Sequence, residues 1–256
     1  MRDIGNSGIL QGSHKSGIIA TGSNIPLTPF AGKDLMISPA PLFLFIHFTR
    51  PEEIQITMQV SMFSMDFFDS AYQGRPPWDI GRPQKEFVDL VLRGEMKGSV
   101  LDIGCGTGEH ALFFAGEGFD VWGIDTSPLA IGMAKEKAAE RGLQVRFLVM
   151  NALEIAKIGR KFDTATDSGF FHTLSDKDRV IFVNNLATVL LPGGTYYMLC
   201  FSDLEPPGYG PRRIAKGEIE NSFGEGWVIN YIRSAIFESI RRDKGSRAWL
   251  TSITKK

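Results

Sequence analysis

The stretch VLDIGCGTG at residues 100–108 constrains this chain more than any other part of its 256 residues. A mainly apolar run typical of a buried strand leads into three alternating glycines, Gly104, Gly106 and Gly108. Glycines allow the backbone to turn tightly and to approach a ligand where a Cβ would collide. A helical pattern begins near Gly108, and a helix N-terminus offers free N–H groups and a partial positive charge. The stretch therefore predicts a ligand-binding loop between a strand and a helix.

An acidic residue stands at the end of the next apolar run, VWGID, which finishes at Asp125. An acid at this strand end points into the cleft at the carboxyl edge of a parallel sheet and can accept both hydroxyls of a ribose. The glycine spacing is G-x-G-x-G, whereas the dinucleotide fingerprint G-x-G-x-x-G would need a glycine in place of Glu109. Loop and acid together indicate a nucleoside-type cofactor. The alternative for Asp125 alone is a cap on the helix starting near Pro128.

Short apolar runs alternate with helical patterns from residue 62 onward, which predicts βαβ units and a parallel sheet covered on both faces. The predicted strands are 99–103, 119–124, 144–149, 162–167 and 195–201, and the predicted helices are 67–72, 83–94, 108–117, 127–141 and 176–190. Two further runs, Trp227–Ile232 and Ala248–Thr254, lack a crossover helix between them and are expected to pair antiparallel at the sheet edge. The predicted fold class is α/β: a doubly wound, Rossmann-like sheet of seven mostly parallel strands with an antiparallel edge strand and helices on both faces.

Charge separates the first 60 residues from the rest, because they carry eight charged side chains against 49 in the remaining 196. Much of this segment is Gly, Ser, Thr and Pro without a helical or strand period, so 1–60 is predicted to be a poorly ordered extension. The predicted domain covers 62–256. Since Met58, Met62 and Met65 stand around its start, translation in the cell is hypothesised to begin at one of them.

Composition excludes several classes of protein. Lys and Arg number 28 and Asp and Glu 29, which argues against a protein that coats phosphate backbones. The apolar run 41–48 is shorter than the roughly 20 residues that span a bilayer. The two cysteines, Cys105 and Cys200, form no C-x-x-C pair and indicate a reducing, cytoplasmic compartment. The four histidines are dispersed, so no metal site is predicted. We expect no nucleic-acid or membrane partner, and a monomer or homodimer.

Three features resemble the class I S-adenosylmethionine-dependent methyltransferases over residues 62–256: the run LDIGCGTG at 101–108, Asp125, and LLPGG at 190–194. The resemblance implies S-adenosylmethionine as cofactor and an N-terminal lid over 62–95. The glycine loop would hold the amino-acid part, Asp125 the ribose, and the end of the third strand the adenine, where many members carry an acid instead of Asn151. The implied cofactor-binding residues are Asp102, Gly104, Cys105, Gly106, Gly108, Asp125, Thr126, Asn151, Ala152, Asp167 and Trp78. The alternative for Asp167 is to orient the loop that follows it.

The segments after the fourth and fifth strands bear on the methyl acceptor. Residues 167–172 read DSGFFH, not the Asn/Asp-Pro-Pro-aromatic motif that goes with methylation of exocyclic amines. Together with PWDIGRPQ at 77–84, LCFSD at 199–203 and GPRR at 210–213, they look like the small-molecule branch, which includes thiopurine-type and heterocyclic-compound methyltransferases. The predicted activity is methyl transfer to O, N or S of a small aromatic or heterocyclic acceptor. The alternatives are a nicotinamide-dependent oxidoreductase, which the glycine spacing disfavours, and a non-catalytic cofactor-binding regulatory subunit.

His172 is the candidate general base, because it follows the fourth strand and an ordinary imidazole pKa of about 6.5 suits proton removal from a phenol, thiol or ring nitrogen. The alternative is a structural histidine bonded to backbone. An apolar wall of aromatic side chains is expected to accept a flat substrate. The candidates for it are Trp78, Phe170, Phe171 and Tyr209, and the alternative for each of them is ordinary core packing. Asp203 and Arg212 are candidate substrate contacts, and the alternative for both is a surface position on a mobile loop.

Overall fold

The first 64 residues form a unit of their own, Met1–Ser64, in the computed structural model of the chain. The structure describes the backbone of five strands in this unit, and it describes residues 67–208 and 210–256 with their side chains. The strands are β1 (Gly17–Thr21), β2 (Thr28–Phe30), β3 (Asp34–Ser38), β4 (Leu44–Arg50) and β5 (Glu53–Thr57). They form one sheet in the order β2-β1-β3-β4-β5.

No period-2 pattern in the sequence predicts these strands, and the predicted poor order of 1–60 stays a prediction. The proposed translation starts at Met58, Met62 and Met65 lie outside the described residues.

The second unit, Met65–Lys256, is built on a seven-stranded sheet in the order β11-β12-β10-β9-β6-β7-β8. Its strands are β6 (Ser99–Ile103), β7 (Asp120–Asp125), β8 (Val145–Val149), β9 (Phe162–Ser168), β10 (Leu190–Phe201), β11 (Trp227–Ser239) and β12 (Arg242–Lys255). Strands β6 to β10 pair parallel, and β12 pairs antiparallel with both of its neighbours. The predicted fold class is confirmed, with β12 as the antiparallel strand and β11 at the edge.

Five α-helices accompany the sheet in the described part of this unit: α1 (Lys85–Leu92), α2 (Glu109–Gly116), α3 (Pro128–Glu140), α4 (Asp176–Val189) and α5 (Lys216–Ser222). A further helical turn covers 67–71. Local chemistry fixes two of the starts, since the hydroxyl of Ser127 accepts from the Ala130 N–H and that of Ser175 from the Asp178 N–H. None of the described helices is long and apolar enough to cross a bilayer.

The core has a layer on each face of the sheet because successive strand residues point to opposite sides. On β6, Val100 packs in the layer that contains α1, α2 and α3, while Leu101 packs in the layer that contains α4 and α5. β10 alternates in the same way, with Tyr196 on the second side and Tyr197 on the first. Burial on both faces favours apolar residues in these strands, which is why their positions could be predicted, although β6 also buries Asp102.

The strand order reverses between β6 and β9, which are neighbours in the sheet but not in the sequence. Such a reversal leaves a crevice at the carboxyl ends of the strands, and ligands of open α/β sheets bind there. The glycine loop follows β6 and the DSGFFH segment follows β9. The topology therefore brings the two most informative motifs of the sequence to one crevice.

The C-terminal hairpin is much longer than predicted, since β11 and β12 reach Ser239 and Arg242 at its turn. Its outer half, 233–247, contains many charged residues and carries no apolar alternation. Helix α5 was also missed, because its seven residues include Gly217 and only Ile219 is buried. The missed hairpin tip matters for the site.

Candidate functional site

Two backbone N–H groups of the glycine loop donate hydrogen bonds to the end of β7. The Cys105 N–H donates to the Ile124 carbonyl at 2.9 Å, and the Gly106 N–H donates to the Asp125 Oδ2 at 2.9 Å. Gly106 has a φ of 53°, and a Cβ there would lie 2.5 Å from the Tyr72 hydroxyl. The loop therefore needs glycine at 106, and the Tyr72 hydroxyl is its close neighbour.

Asp125 stands at the carboxyl end of β7, as predicted for a ribose-binding acid. Its Oδ1 accepts from the Ser127 N–H at 2.9 Å, while Oδ2 accepts from Gly106. Burial raises the pKa of Asp125, and these backbone N–H groups oppose that rise. A carboxylate oxygen can accept two hydrogen bonds, so each oxygen keeps capacity for a hydroxyl. The same side chain can thus fix the turn before α3 and bind a ribose.

Asp102 lies buried on β6, just before the loop. Its Oδ1 accepts from the Thr166 hydroxyl at 2.8 Å, and its enclosed Oδ2 has no partner among the described residues. Burial raises the pKa of Asp102 to about 7. Asp102 is thus a buried carboxyl at the start of the glycine loop, near the Ala111 N–H of α2. The loop that a Cβ at Gly106 would fill, together with the free acceptor capacity of Asp125, fits the cofactor implied by the resemblance.

Asp102→Asn should change the pH dependence of stability of the ligand-free protein. Between about pH 4 and pH 7 the folded state keeps the Asp102 proton that the unfolded state loses, so wild-type stability is reduced as pH rises. Asparagine has no proton to lose and can still accept from Thr166. We expect the free energy of unfolding of the variant, relative to that of wild type, to be higher at pH 8 than at pH 5. Urea unfolding at both pH values measures this difference. An equal difference at both pH values would contradict the raised pKa.

The predicted adenine side lies at the carboxyl ends of β7 and β8. Asn151 follows β8 and its Oδ1 accepts from the Leu153 N–H at 2.9 Å, so the side chain caps the short 3-10 helix Ala152–Ile158. Ala152 is buried, and Thr126 is partly buried directly after Asp125. The Asn151 carbonyl oxygen is thus used locally, whereas no described residue takes its amide N–H groups.

The predicted lid covers the loop from residue 67 onward. Asp69 Oδ1 accepts from the Ser127 hydroxyl at 2.6 Å and from the Leu129 N–H at 3.2 Å, at the start of α3. Within the lid, the Trp78 indole N–H donates to the Tyr72 hydroxyl at 3.0 Å. Asp79 Oδ2 accepts from the Thr107 hydroxyl, also at 3.0 Å. The lid is therefore attached both to the glycine loop and to the helix after Asp125.

The tip of the C-terminal hairpin holds the other end of the lid. The buried Gln84 side chain exchanges two hydrogen bonds with the main chain of Glu238, at 2.8 and 2.9 Å. The Arg82 guanidinium makes a two-pronged ion pair with the Glu238 carboxylate, and the Ile240 N–H donates to the Pro77 carbonyl at 3.0 Å. Lid and hairpin thus act as one cover.

A narrow cleft of about 50 Å³ lies under this cover, against the glycine loop. Four predicted residues line it: Trp78, Gly104, Cys105 and Gly106. Sequence reasoning missed six others that matter to its shape, namely Tyr72, Asp79, Gln84, His110, Ser168 and Phe237. The amphipathic pattern of 67–72 could have indicated Tyr72. Nothing in the sequence indicates Phe237, because it depends on the length of the hairpin.

Asp167 was predicted to contact the cofactor, and its hydrogen bonds correct that prediction. The fully buried carboxylate accepts from the N–H groups of Phe170 and Phe171, at 2.6 and 2.8 Å, and from the Tyr196 hydroxyl at 2.8 Å. Burial raises its pKa to about 7. Asp167 therefore fixes the turn after β9 and is enclosed by the protein.

The two phenylalanines of this turn differ in position. Phe171 is fully buried, stacks on Phe223 and lies under the Arg179 guanidinium, so it belongs to the core and its predicted place in the substrate wall is corrected. Phe170 is partly buried, and a Cβ at Gly104 would lie 3.2 Å from its Cβ. Phe170 thus lies beside the loop and keeps its predicted role.

His172 is buried, and its Nδ1 accepts from the Phe201 N–H at 3.0 Å. Burial, reinforced by the charges of Arg213 and Arg179, lowers its pKa to about 3. A general base needs a free lone pair and a pKa near the working pH. The predicted base role does not fit this geometry, since the lone pair is engaged and the proton occupies Nε2.

The remaining predicted substrate contacts lie away from the loop or outside the described part. Arg212 is exposed and pairs with Asp176 and Glu218, which fastens α4 to α5. Asp203 is exposed, with its N–H bonded to the Ile214 carbonyl. Tyr209 falls outside the described residues. The first two are corrected to surface positions, the alternative stated above.

Comparisons with known proteins agree with this geometry. The family described as "Methyltransferase domain" matches residues 100–194. The 2-heptyl-1-hydroxyquinolin-4(1H)-one methyltransferase of Mycobacteroides abscessus is 35% identical over 181 residues, which is 66% of this chain and 80% of that protein. A solved structure from work on the conversion of a disulfide bond into a thioacetal group during echinomycin biosynthesis is 34% identical, with a TM-score of 0.69 over 75% of this chain and 93% of that one.

A third likeness concerns the fold alone. The 1,6-didemethyltoxoflavin-N1-methyltransferase of Burkholderia thailandensis, solved with S-adenosylhomocysteine, is 19% identical with a TM-score of 0.62. The match covers 85% of this chain and 97% of that structure. Sequence identity over most of a relative, the glycine loop with its acid, and the seven-stranded sheet all agree: this chain belongs to the S-adenosylmethionine-dependent methyltransferases.

Proposed function

We propose that the protein transfers a methyl group from S-adenosylmethionine to a small aromatic or heterocyclic acceptor, and that a ring-borne hydroxyl oxygen is preferred within the O, N and S acceptors. The observation that carries the proposal is the 35% identity to a hydroxyquinolone methyltransferase over 80% of its length. The cleft supports it, because Trp78 and Phe237 face it with apolar rings. Flat apolar ligands bind well in such surroundings.

The residues that would hold the cofactor are Asp102, Gly106 and Asp125, with Asn151 and Ala152 at the adenine end. When bound, S-adenosylmethionine supplies an electrophilic methyl group, and its sulfur keeps the electron pair of the broken carbon–sulfur bond. The protein then has to align donor and acceptor and exclude water. The cover formed by the lid and the hairpin tip suits that task.

The proposal includes a free small molecule as acceptor, with no nucleic acid or membrane bound, and a monomer or homodimer in the cytoplasm. The net charge of −1 supports the first part. The two free, buried cysteines, Cys105 and Cys200, support a reducing compartment.

An acceptor screen tests the proposed function. We expect S-adenosylhomocysteine to accumulate with hydroxyquinolones and other ring hydroxyls, and the organic product to gain one methyl group by mass spectrometry. Thiols and heterocyclic amines form the comparison sets. The control is Asp125→Ala, which should release little S-adenosylhomocysteine at the same cofactor concentration. A folded protein that binds S-adenosylmethionine but turns over none of the three sets would contradict the proposal and favour a regulatory subunit.

A further inference from the structure

The two ring nitrogens of His172 differ: Nδ1 is hydrogen-bonded to the main chain, and Nε2 has no partner among the described residues. Nδ1 accepts from the Phe201 N–H at 3.0 Å, so the neutral ring keeps its proton on Nε2. No residue in 67–208 or 210–256 accepts a hydrogen bond from that Nε2–H. The side chain is only 4% exposed. The hydrogen bond to Nδ1 thus fixes the orientation of the ring, and Nε2 is left with a proton that no described residue accepts.

The position of Nε2 relates this donor to the cleft. A Cβ at Gly169 would lie 3.4 Å from Nε2 and 3.0 Å from the Phe237 ring. Phe237 and Ser168, the residue before Gly169, both line the cleft. Nε2 is therefore close to the Phe237 ring just after the end of β9, and Phe237 lies between His172 and the cleft that it lines.

Two arginines lie near His172, and their charges act on its ring. Arg213 packs over the Phe201 ring at 5.6 Å, donates to the carbonyl oxygens of Pro206 and Pro211, and forms no salt bridge with a carboxylate in the described residues. Arg179 is buried; it pairs with Glu218 through Nη1, while its Nε and Nη2 have no described partner.

The charges of Arg213 and Arg179 are the ones that act on His172, and both oppose its protonation. The rings packed against His172, Phe201 on β10 and Phe237 on β11, do not titrate. Burial is the larger cause of the low pKa of His172, and burial disfavours an anion as well. The two arginine charges and the Nε2–H donor are the interactions that favour the anion of an acidic group bound beside Nε2.

We propose that His172 donates a hydrogen bond from Nε2 to the reacting atom of an acceptor that is methylated as its anion, and that it does not act as a base. This inference rests on the proposed function and specifies its substrate class: ring hydroxyls, N-hydroxy groups or thiols acidic enough to ionise near neutral pH. Aliphatic alcohols and neutral amines fall outside it.

The chemistry balances without a proton acceptor on the enzyme. The acceptor loses its proton to solvent on or before binding, and its lone pair forms the new bond to the methyl carbon. The negative charge of the acceptor and the positive charge of the sulfonium disappear together. The Nε2–H stays on His172 throughout, and the donor serves to orient the anion.

Two substitutions separate a donor from a base. His172→Gln retains an N–H donor and His172→Leu does not, while neither side chain can act as a base at neutral pH. Both leave the Phe201 N–H without its Nδ1 partner, so their thermal unfolding midpoints should fall alike. We expect kcat/KM for an acidic ring hydroxyl to stay within about tenfold of wild type in His172→Gln and to fall about 10- to 100-fold further in His172→Leu. Equal, large losses in both variants would overturn the proposal.

A measurement on the wild-type protein does not depend on how the variants fold. A nitrophenol, whose anion absorbs at longer wavelength than its neutral form, is titrated with pH in the presence of the protein and S-adenosylhomocysteine. We expect a lower pKa for the bound nitrophenol than for the free one, and an acid limb of kcat/KM that moves with the pKa of the acceptor along a series of substituted phenols. A bound pKa that is unchanged or raised, or an acid limb independent of the acceptor, would overturn the proposal.

The outcomes also distinguish this inference from the proposed function. Wild-type protein that methylates no member of any acceptor set refutes the proposed function itself. Wild-type protein that methylates neutral heterocyclic amines in preference to acidic hydroxyls leaves a small-molecule methyltransferase in place and overturns the anionic acceptor.

Discussion

Gly108→Ala should lower the free energy of unfolding by about 2–5 kcal/mol, the sum expected for left-handed backbone strain and an overpacked core. Gly108 has a φ of 85°, a backbone conformation that residues with a side chain rarely adopt. A Cβ there would lie 2.9 Å from the Cβ of Ala134 on α3 and 2.9 Å from the ring of Phe147 on β8. Both neighbours are buried, so α2 would have to move away from α3 and β8.

The control is Gly118→Ala, just after α2. Gly118 has a φ of 90°, yet a Cβ there would meet nothing within 4 Å. This variant should lose only the strain contribution, about 1–2 kcal/mol. Urea unfolding of both variants measures the difference. Equal losses would mean that the close approach of α2 to α3 and β8 is not what requires glycine at 108.

Asp125→Ala should weaken S-adenosylmethionine binding by about 2–3 kcal/mol, the scale of lost hydrogen bonds to a charged group. The substitution removes the acceptor proposed for the ribose hydroxyls. It also leaves the N–H groups of Gly106 and Ser127 without partners, so the loop loses the contact that shapes it. Asp125→Asn keeps one acceptor oxygen, so its affinity for S-adenosylmethionine should lie between that of Asp125→Ala and that of wild type. Isothermal titration calorimetry gives all three affinities.

Asp120→Ala is the matched control on the same strand. Asp120 is exposed at the opposite end of β7 and pairs with Arg160. Its removal should leave the affinity for S-adenosylmethionine unchanged. Asp125 would be excluded from the cofactor site if its alanine variant bound S-adenosylmethionine as tightly as the Asp120 variant.

The strands and the glycine loop with Asp125 could be predicted because they depend on residues that are close together in the sequence. Parallel strands buried on both faces favour apolar residues, and a loop whose backbone has positive φ at Gly104 and Gly106 favours glycine at both positions. Asp125 follows from the same unit, one crossover later. The lid over 62–95 stays a prediction, and the structure shows that its described part, from residue 67 onward, contacts the glycine loop.

The side chains on the acceptor side could not be assigned from the sequence, because their contacts come from residues far away in the chain. The role of His172 is set by the N–H of Phe201 at the end of another strand. Asp167 is enclosed by Tyr196 from β10, a contact that no spacing in the sequence indicates. Phe171 looks like a substrate contact in the sequence, but Phe223 and Arg179 cover it in the fold.

The hydrogen bonds between Gln84 and Glu238 affect the order in which the parts of the site can form during synthesis. The two residues are 154 positions apart, one in the first quarter of the methyltransferase unit and the other close to its last strand. On the ribosome the lid emerges long before its anchor. The lid can already bond to the glycine loop and to α3, but its Gln84 end has no anchor until the hairpin has been synthesised and has paired with β10. A partly made chain can shape the glycine loop but cannot complete its cover, so full exclusion of water is the last property that this enzyme acquires.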